Sequence, residues 1–243
     1  MALPYVYYPE ISLGFFKIYT FGLIVAIAFL VGLWFSLREA KRKGISKEVV
    51  EGLVFYIMLG SIIGSRLLHV VIFWDSYSSN IISVFMLWEG GLAFYGGFLG
   101  AVIASFVYLR VKKLSFFKYA DLMAPSIVLG HVIGRIACLV GDGGHVGKLT
   151  SLPLGIMFNG ELRHLTALYD FVNLTLLFII LLYLRRKNFF TGFLFLFYIC
   201  YYAFTRFLID LLRTDPTFYG LTATQWTAIP LFLISLVVIF KKW

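Results

Sequence analysis

The sequence predicts an all-α membrane protein of seven transmembrane helices, with its N-terminus outside and its C-terminus in the cytoplasm. Three observations lead there. Of 243 residues, 61% are apolar and only 14% are charged; the mean hydropathy is +0.92, far from an average soluble domain. The apolar residues gather in stretches close to the roughly 20 residues that cross a bilayer. Basic residues fall in alternate connections, which sets the orientation.

The expected spans are 18–37, 52–74, 90–109, 120–140, 165–184, 189–212 and 221–240. The first is free of charge from Lys17 to Arg38, and the third from Glu89 to Arg110. The second carries Arg66 and His69, the fourth His131 and Arg135, the fifth Asp170, and the sixth Arg206 and Asp210. The seventh is apolar and closes on a basic "KKW". Lys17 is the first positive charge, so the N-terminus lacks the basic region of a cleavable signal and the first span is expected to be retained. The whole chain, 1–243, reads as one polytopic domain without low-complexity segments or internal repeats.

The basic clusters are "REAKRKGISKE", "RVKKLSFFK", "RRK" at 185–187 and the C-terminal lysines. The connections around 75–89, 141–164 and 213–220 hold few Lys or Arg. The net charge of +9 therefore follows from topology and from anionic lipid at the cytoplasmic face, and nucleic acid is not an expected partner. Cys138 and Cys200 have no metal-type spacing, form no disulfide framework and read as inert apolar fillers.

Ionisable residues inside spans are costly and mark candidate function. With this orientation the second, fourth and sixth spans run outward, and Arg66, Arg135 and Arg206 all fall late in them. Tyr95 and Asp170 fall early in the inward-running third and fifth. The polar groups thus converge on the outer half of the membrane. His131 and Arg135 share a helix face, and Tyr202, Arg206, Asp210 and Arg213 form a stripe. Gly130 and Gly134 make a small-xxx-small pair suited to close helix approach.

Plainer readings stand beside these. Arg206 and Asp210 also fit an intrahelical ion pair that only ties the bundle together. Arg66 equally fits a side chain snorkelling to the outer interface. His69 and His131 fit packing better than ligation. Arg135 together with Arg206 is harder to dismiss, because guanidinium forks match phosphate oxygens. At outer-leaflet depth that phosphate is a phospholipid headgroup, which gives a lateral lipid cleft with an arginine clamp. A small anion transporter built on the same arginines would need a polar path to the inner face, and the polar groups stop short of it.

Six stretches, in order, resemble the prolipoprotein diacylglyceryl transferase family. "ADLMAPSIVLGHVIGRIACLVGDGG" resembles its signature, through Asp121, Pro125, Gly130, Gly134 and Arg135. "GSRLLHVVIFW" and "WEGGLAFYGG" resemble its second span and the entrance to its third. "RHLTALYD" is similar to its HP-x-x-LYE stretch through His164, Leu168 and Tyr169. "YAFTRFLIDLLRTD" resembles its Y-x-x-x-R-x-x-x-E-x-x-R helix through Tyr202, Arg206, Asp210 and Arg213, and "GLTATQW" resembles its last-span entrance.

The resemblance implies an enzyme of the bacterial inner membrane with its active site toward the outer leaflet. It moves diacylglyceryl from phosphatidylglycerol to the lipobox cysteine of a prolipoprotein signal peptide. A thioether forms and glycerol phosphate leaves. Arg135 is expected to bind the lipid phosphate and Arg206 to stabilise the leaving group. Tyr95 and Tyr202 are expected to orient substrate or relay a proton. Gly134, Arg66 and Gly147 complete the lipid-binding set. No metal and no cofactor are expected.

The chain also departs from the family pattern. Tyr95 stands where the family usually has His. Ala137, Cys138 and Leu139 replace G-N-F after the signature arginine. The tyrosine before the first-span glycine is Phe21, and Leu165 and Asp170 replace Pro and Glu. A glutamate of the following loop is unmatched in "GDGGHVGK", where Asp142 and His145 are the candidate substitutes. The lipid clamp is better kept than the acid–base groups. Two readings follow: a transferase working without that histidine, or an altered paralogue that binds phospholipid or lipoprotein, or serves another acceptor.

Overall fold

The computed structural model describes residues 5–13, 16–87, 90–152 and 155–242. Trp88 and Glu89, quoted above at the third-span entrance, lie outside them. The fold is mostly helical, and seven helices are long and apolar enough to cross a membrane: α1 Thr20–Arg42, α2 Lys47–Ile72, α4 Phe94–Val111, α5 Phe116–Gly141, α6 Thr166–Leu184, α7 Phe193–Asp210 and α8 Ala223–Lys242. All seven expected spans are present. α1, α2 and α5 run past the apolar stretch into charged sequence. Helical hydrogen bonding does not stop where hydropathy does.

Short elements join them. A short helix, α3 (Trp74–Tyr77), and a 3₁₀ turn (Ile81–Phe85) follow α2. β1 (Glu10–Leu13) pairs antiparallel with β2 (Phe16–Tyr19) ahead of α1. Between α5 and α6, β3 (Val146–Leu149), β4 (Ile156–Phe158) and β5 (Glu161–Leu165) form an antiparallel sheet in the order β3-β5-β4. β6 (Thr217–Phe218) and β7 (Leu221–Thr222) make a hairpin between α7 and α8.

The chain divides into two compact units. One, 37–119, is built on α2 and α4. Its two long helices meet backbone to backbone through Gly60, Gly64, Gly96 and Gly100. A Cβ on Gly64 would strike the Gly96 carbonyl oxygen, and one on Gly100 the Gly60 carbonyl oxygen. In lipid, association of this kind rests on close packing. This corrects the expectation for Gly130 and Gly134: a Cβ at either meets nothing within 4 Å. Small residues spaced four apart mark a face that permits close approach, and among the described residues α2 and α4 use it so.

The other unit, 1–36 and 120–243, holds the larger core. Ala124, Val128 and Val132 of α5 pack with Leu174, Leu177 and Leu181 of α6 and with Phe193, Leu194 and Tyr198 of α7. Asp121 fixes the start of α7: its carboxylate accepts from the Gly192 N–H at 2.6 Å and the Phe195 N–H at 2.9 Å. Those amides are orphans at a helix N-terminus, where a negative charge is also favoured. Asp121 of the signature is thus a helix cap.

Candidate active site

Four elements bring one line of charges together. Asp170, in the first turns of α6, is 1% exposed. Its Oδ2 accepts from Arg206 of α7 at 2.6 Å and lies 3.2 Å from a terminal nitrogen of Arg135 on α5. Arg206 also meets Asp210, one turn on, at 2.8 Å. Arg213 stands 3.8 Å from Asp210 and bonds Asp215 at 2.6 Å. Thr222, at the end of β7, and Thr224, in the first turn of α8, donate to the other Asp210 oxygen. Arg135, Arg206 and Arg213 thus alternate with Asp170, Asp210 and Asp215, three charges of each sign. Only a nearly neutral, hydrogen-bonded array can be buried at tolerable cost.

The two arginines that share Asp170 are not equivalent. Arg206 is 8% exposed at its side chain and lies between two carboxylates. Arg135 is 18% exposed and contacts one carboxylate. Its other terminal nitrogen faces the Cys138 sulfur at 4.0 Å. The open space beside Gly130 and Gly134 runs along its own helix. Arg135 is therefore the more open of the two guanidiniums. Tyr202 borders the same place, its ring 5.6 Å from that of His131. His131 also lies against Tyr198, so it packs among aromatic rings as the plainer reading held.

The loop after α5 closes over one end of the array. Gly143, Gly144 and His145 all have positive φ, at 67°, 71° and 50°. The Gly144 N–H donates to the Cys138 carbonyl at 2.8 Å and the Ala167 N–H to the Gly144 carbonyl at 3.2 Å. The Thr166 hydroxyl donates to the His145 carbonyl. His145 Nε2 lies 3.7 Å from Asp142 Oδ2. Burial lowers the His145 pKa, and Arg213 and Arg135 lower it further. Gly147 lets β3 reach the end of α7: a Cβ there would strike the Leu212 carbonyl, and the next amide, Lys148, donates to that oxygen at 2.8 Å.

The sequence profile of the family described as prolipoprotein diacylglyceryl transferase matches residues 10–241. The chain is 36% identical over 96% of its length to the phosphatidylglycerol–prolipoprotein diacylglyceryl transferase of Bacillus cytotoxicus, covering 90% of that protein. It is 36% identical to the enzyme of that name from Geobacillus kaustophilus, over 93% of this chain and 88% of that one. For Listeria innocua the figures are 32%, 96% and 88%. The chain belongs to the prolipoprotein diacylglyceryl transferase family.

Membership in this transferase family sharpens what each candidate does. The "GLTATQW" stretch braces Asp210 through Thr222 and Thr224. In the LYE-like stretch, Asp170 supplies the shared counter-ion. Sequence reading singles out Asp170 only as a buried charge. Its partners lie 35 and 36 positions away on other helices, and no spacing rule reports that.

Arg66 needs correcting. It neither snorkels nor offers itself to a headgroup. In the 37–119 unit it is 5% exposed, and its five N–H groups serve the carbonyls of Ser83, Val84, Met86, Gly90 and Gly91. It is the clamp that folds the loop between α3 and α4. His69 packs nearby, bonded to Tyr77 at 3.2 Å. Tyr95 stands in the first turn of α4, 37% exposed, with its ring edge-on to Phe94. Among the described residues, no three of His, Cys, Asp and Glu gather as a metal site.

Proposed function

We propose that this chain moves a diacylglyceryl group from phosphatidylglycerol to the lipobox cysteine thiol of a prolipoprotein. The reaction takes place at the outer leaflet of the bacterial inner membrane. The N-terminus is outside and the C-terminus cytoplasmic, in keeping with the basic connections at 38–48, 110–118 and 185–187. The family match at 10–241 runs through both compact units, which supports reading the chain as a single transferase domain.

The observation that carries the reading is the asymmetry of the clamp. Arg135 has one carboxylate contact, partial exposure and open space beside Gly134. Arg206 is enclosed between Asp170 and Asp210. Arg135 therefore takes the lipid phosphate, and Gly134 leaves room for it. Arg206 holds positive charge behind it, where negative charge grows on the departing glycerol phosphate. Tyr202 borders the phosphate position; Tyr95, in the first turn of α4, is the other tyrosine proposed to orient substrate or relay a proton. Gly147 keeps β3 against the end of α7. The acceptor cysteine belongs to the prolipoprotein, so Cys138 is not a nucleophile in this scheme.

The test uses purified protein in phosphatidylglycerol micelles with a fluorescent lipobox peptide. Wild type adds one diacylglyceryl group to the peptide cysteine, read by mass, and Arg135→Ala does so at least about a hundredfold more slowly. A well-folded wild type that binds phosphatidylglycerol and leaves the peptide unchanged would instead mark an altered paralogue.

A further inference from the structure

The acceptor thiol must lose a proton, because the thiolate is the attacking species. Tyr95, standing where the family usually has His, is a poor proton acceptor near neutral pH: a phenol has a reference pKa of about 10. The chain holds four histidines. His69 is bonded to Tyr77. His131 is packed among Tyr198 and Tyr202. His164 is 8% exposed and bonded to Tyr169 at 3.0 Å. His145 is 32% exposed and stands beside the arginine array with a carboxylate, Asp142, next to its ring.

We propose that His145, oriented by Asp142, takes the proton from the prolipoprotein thiol. The inference rests on the transferase reading above.

Three observations beyond exposure support it. The backbone of His145 lies in the left-handed region at φ 50°, a conformation that a non-glycine residue adopts at a cost. The fold holds it there, through Thr166 on the His145 carbonyl and through Gly144 hydrogen-bonded to both Cys138 and Ala167. That backbone conformation, held by these bonds, sets where the imidazole stands. Second, the Asp142 carboxylate at 3.7 Å from Nε2 favours the tautomer protonated there, which leaves the Nδ1 lone pair as acceptor. Third, the charges around the ring suit a base. Arg135 on α5, Arg206 on α7, and Arg213 just past α7 face it, against Asp142 in the same turn and Asp215 beyond Arg213. Tyr5 also faces Asp142 from the N-terminal segment; burial first, then Tyr7 and Asp142, push its pKa up to about 12.

The sign follows from those charges. Burial and the guanidiniums hold the His145 pKa below its usual 6.5, so the ring is neutral and able to accept a proton at neutral pH. Once protonated, it carries a charge that the nearby arginines disfavour, which speeds its return. In the step itself the S–H proton moves to the imidazole. The sulfur forms a bond to the glyceryl carbon that carries the phosphate ester. The C–O bond breaks and its electron pair stays on the phosphate oxygen. The imidazolium then gives its proton to glycerol phosphate or to water.

The experiment compares rate against pH for wild type and His145→Gln, with phosphatidylglycerol binding measured alongside. Wild type should keep full rate at neutral pH and lose it only as pH falls below about 6.5. His145→Gln should bind phosphatidylglycerol normally. It should transfer about a hundredfold more slowly at pH 7, the usual weight of a general base. It should recover toward wild type near pH 9, above a free thiol's pKa of about 8.5. Equal rates at pH 7 overturn the proposal, as does a loss that persists at high pH or comes with lost lipid binding. A wild type that makes no thioether overturns the transferase reading, and this inference with it.

Discussion

Asp170 places a single carboxylate between two guanidiniums, and the consequences of removing either kind of partner differ. Asp170→Ala leaves Arg206 and Arg135 facing each other across a buried position. Breaking a buried pair this way costs about 3–5 kcal/mol. Arg135→Ala removes the more exposed member and leaves Asp170 bonded to Arg206 at 2.6 Å. Thermal unfolding in detergent should therefore show a large loss for Asp170→Ala and a small one for Arg135→Ala, even though both abolish transfer. Equal losses would make Arg135 a structural anchor and remove the basis for giving it the phosphate. Arg135 and Arg206 are legible in the sequence because a guanidinium in an apolar run is costly anywhere. Their difference in exposure is not legible, since it depends on how α6 and α7 bring Asp170 and Asp210 against them. Arg66 shows the same limit from the other side: its five partners lie 17–25 residues on and are backbone carbonyls, which leave no mark in the side-chain sequence.

Hydropathy finds α1, α2 and α4 to α8 because each must be apolar over a bilayer's width, and it misses every strand. β3, β4 and β5 are three to five residues long, too short for an alternating pattern. The glycines separate the helices further. At Gly64, even a methyl group would meet the Gly96 carbonyl, whereas at Gly134 it meets open space. Overpacking of this kind typically costs about 1–3 kcal/mol. Gly64→Ala should therefore lower the unfolding temperature, and Gly134→Ala should leave it unchanged. Gly134→Leu, which fills the room beside Arg135, should raise the KM for phosphatidylglycerol at unaltered stability. An unchanged KM would place the lipid elsewhere along α5.

The orientation of the chain depends on a charge pattern that no packing contact needs. Lysines and arginines crowd the connections at 38–48, 110–118 and 185–187 and thin out at 75–89 and 213–220. On the proposed orientation, the positive charge stays on the cytoplasmic side and the arginine array faces the outer leaflet. The proposed chemistry, on an exported prolipoprotein, needs the same orientation. Two positions read this out directly. Tyr219, at the tip of the β6–β7 hairpin, is 99% exposed. Lys112, at the C-terminal end of α4, is also exposed. In a background with Cys138 and Cys200 both changed to Ala, a membrane-impermeant maleimide added to intact spheroplasts should label Tyr219→Cys at once. Lys112→Cys should react only after the membrane is permeabilised. The reverse pattern would turn Arg135, Asp170 and Arg206 toward the cytoplasm, where the acceptor would be an unexported chain, and the outer-leaflet assignment would fall while the family and the clamp geometry stood.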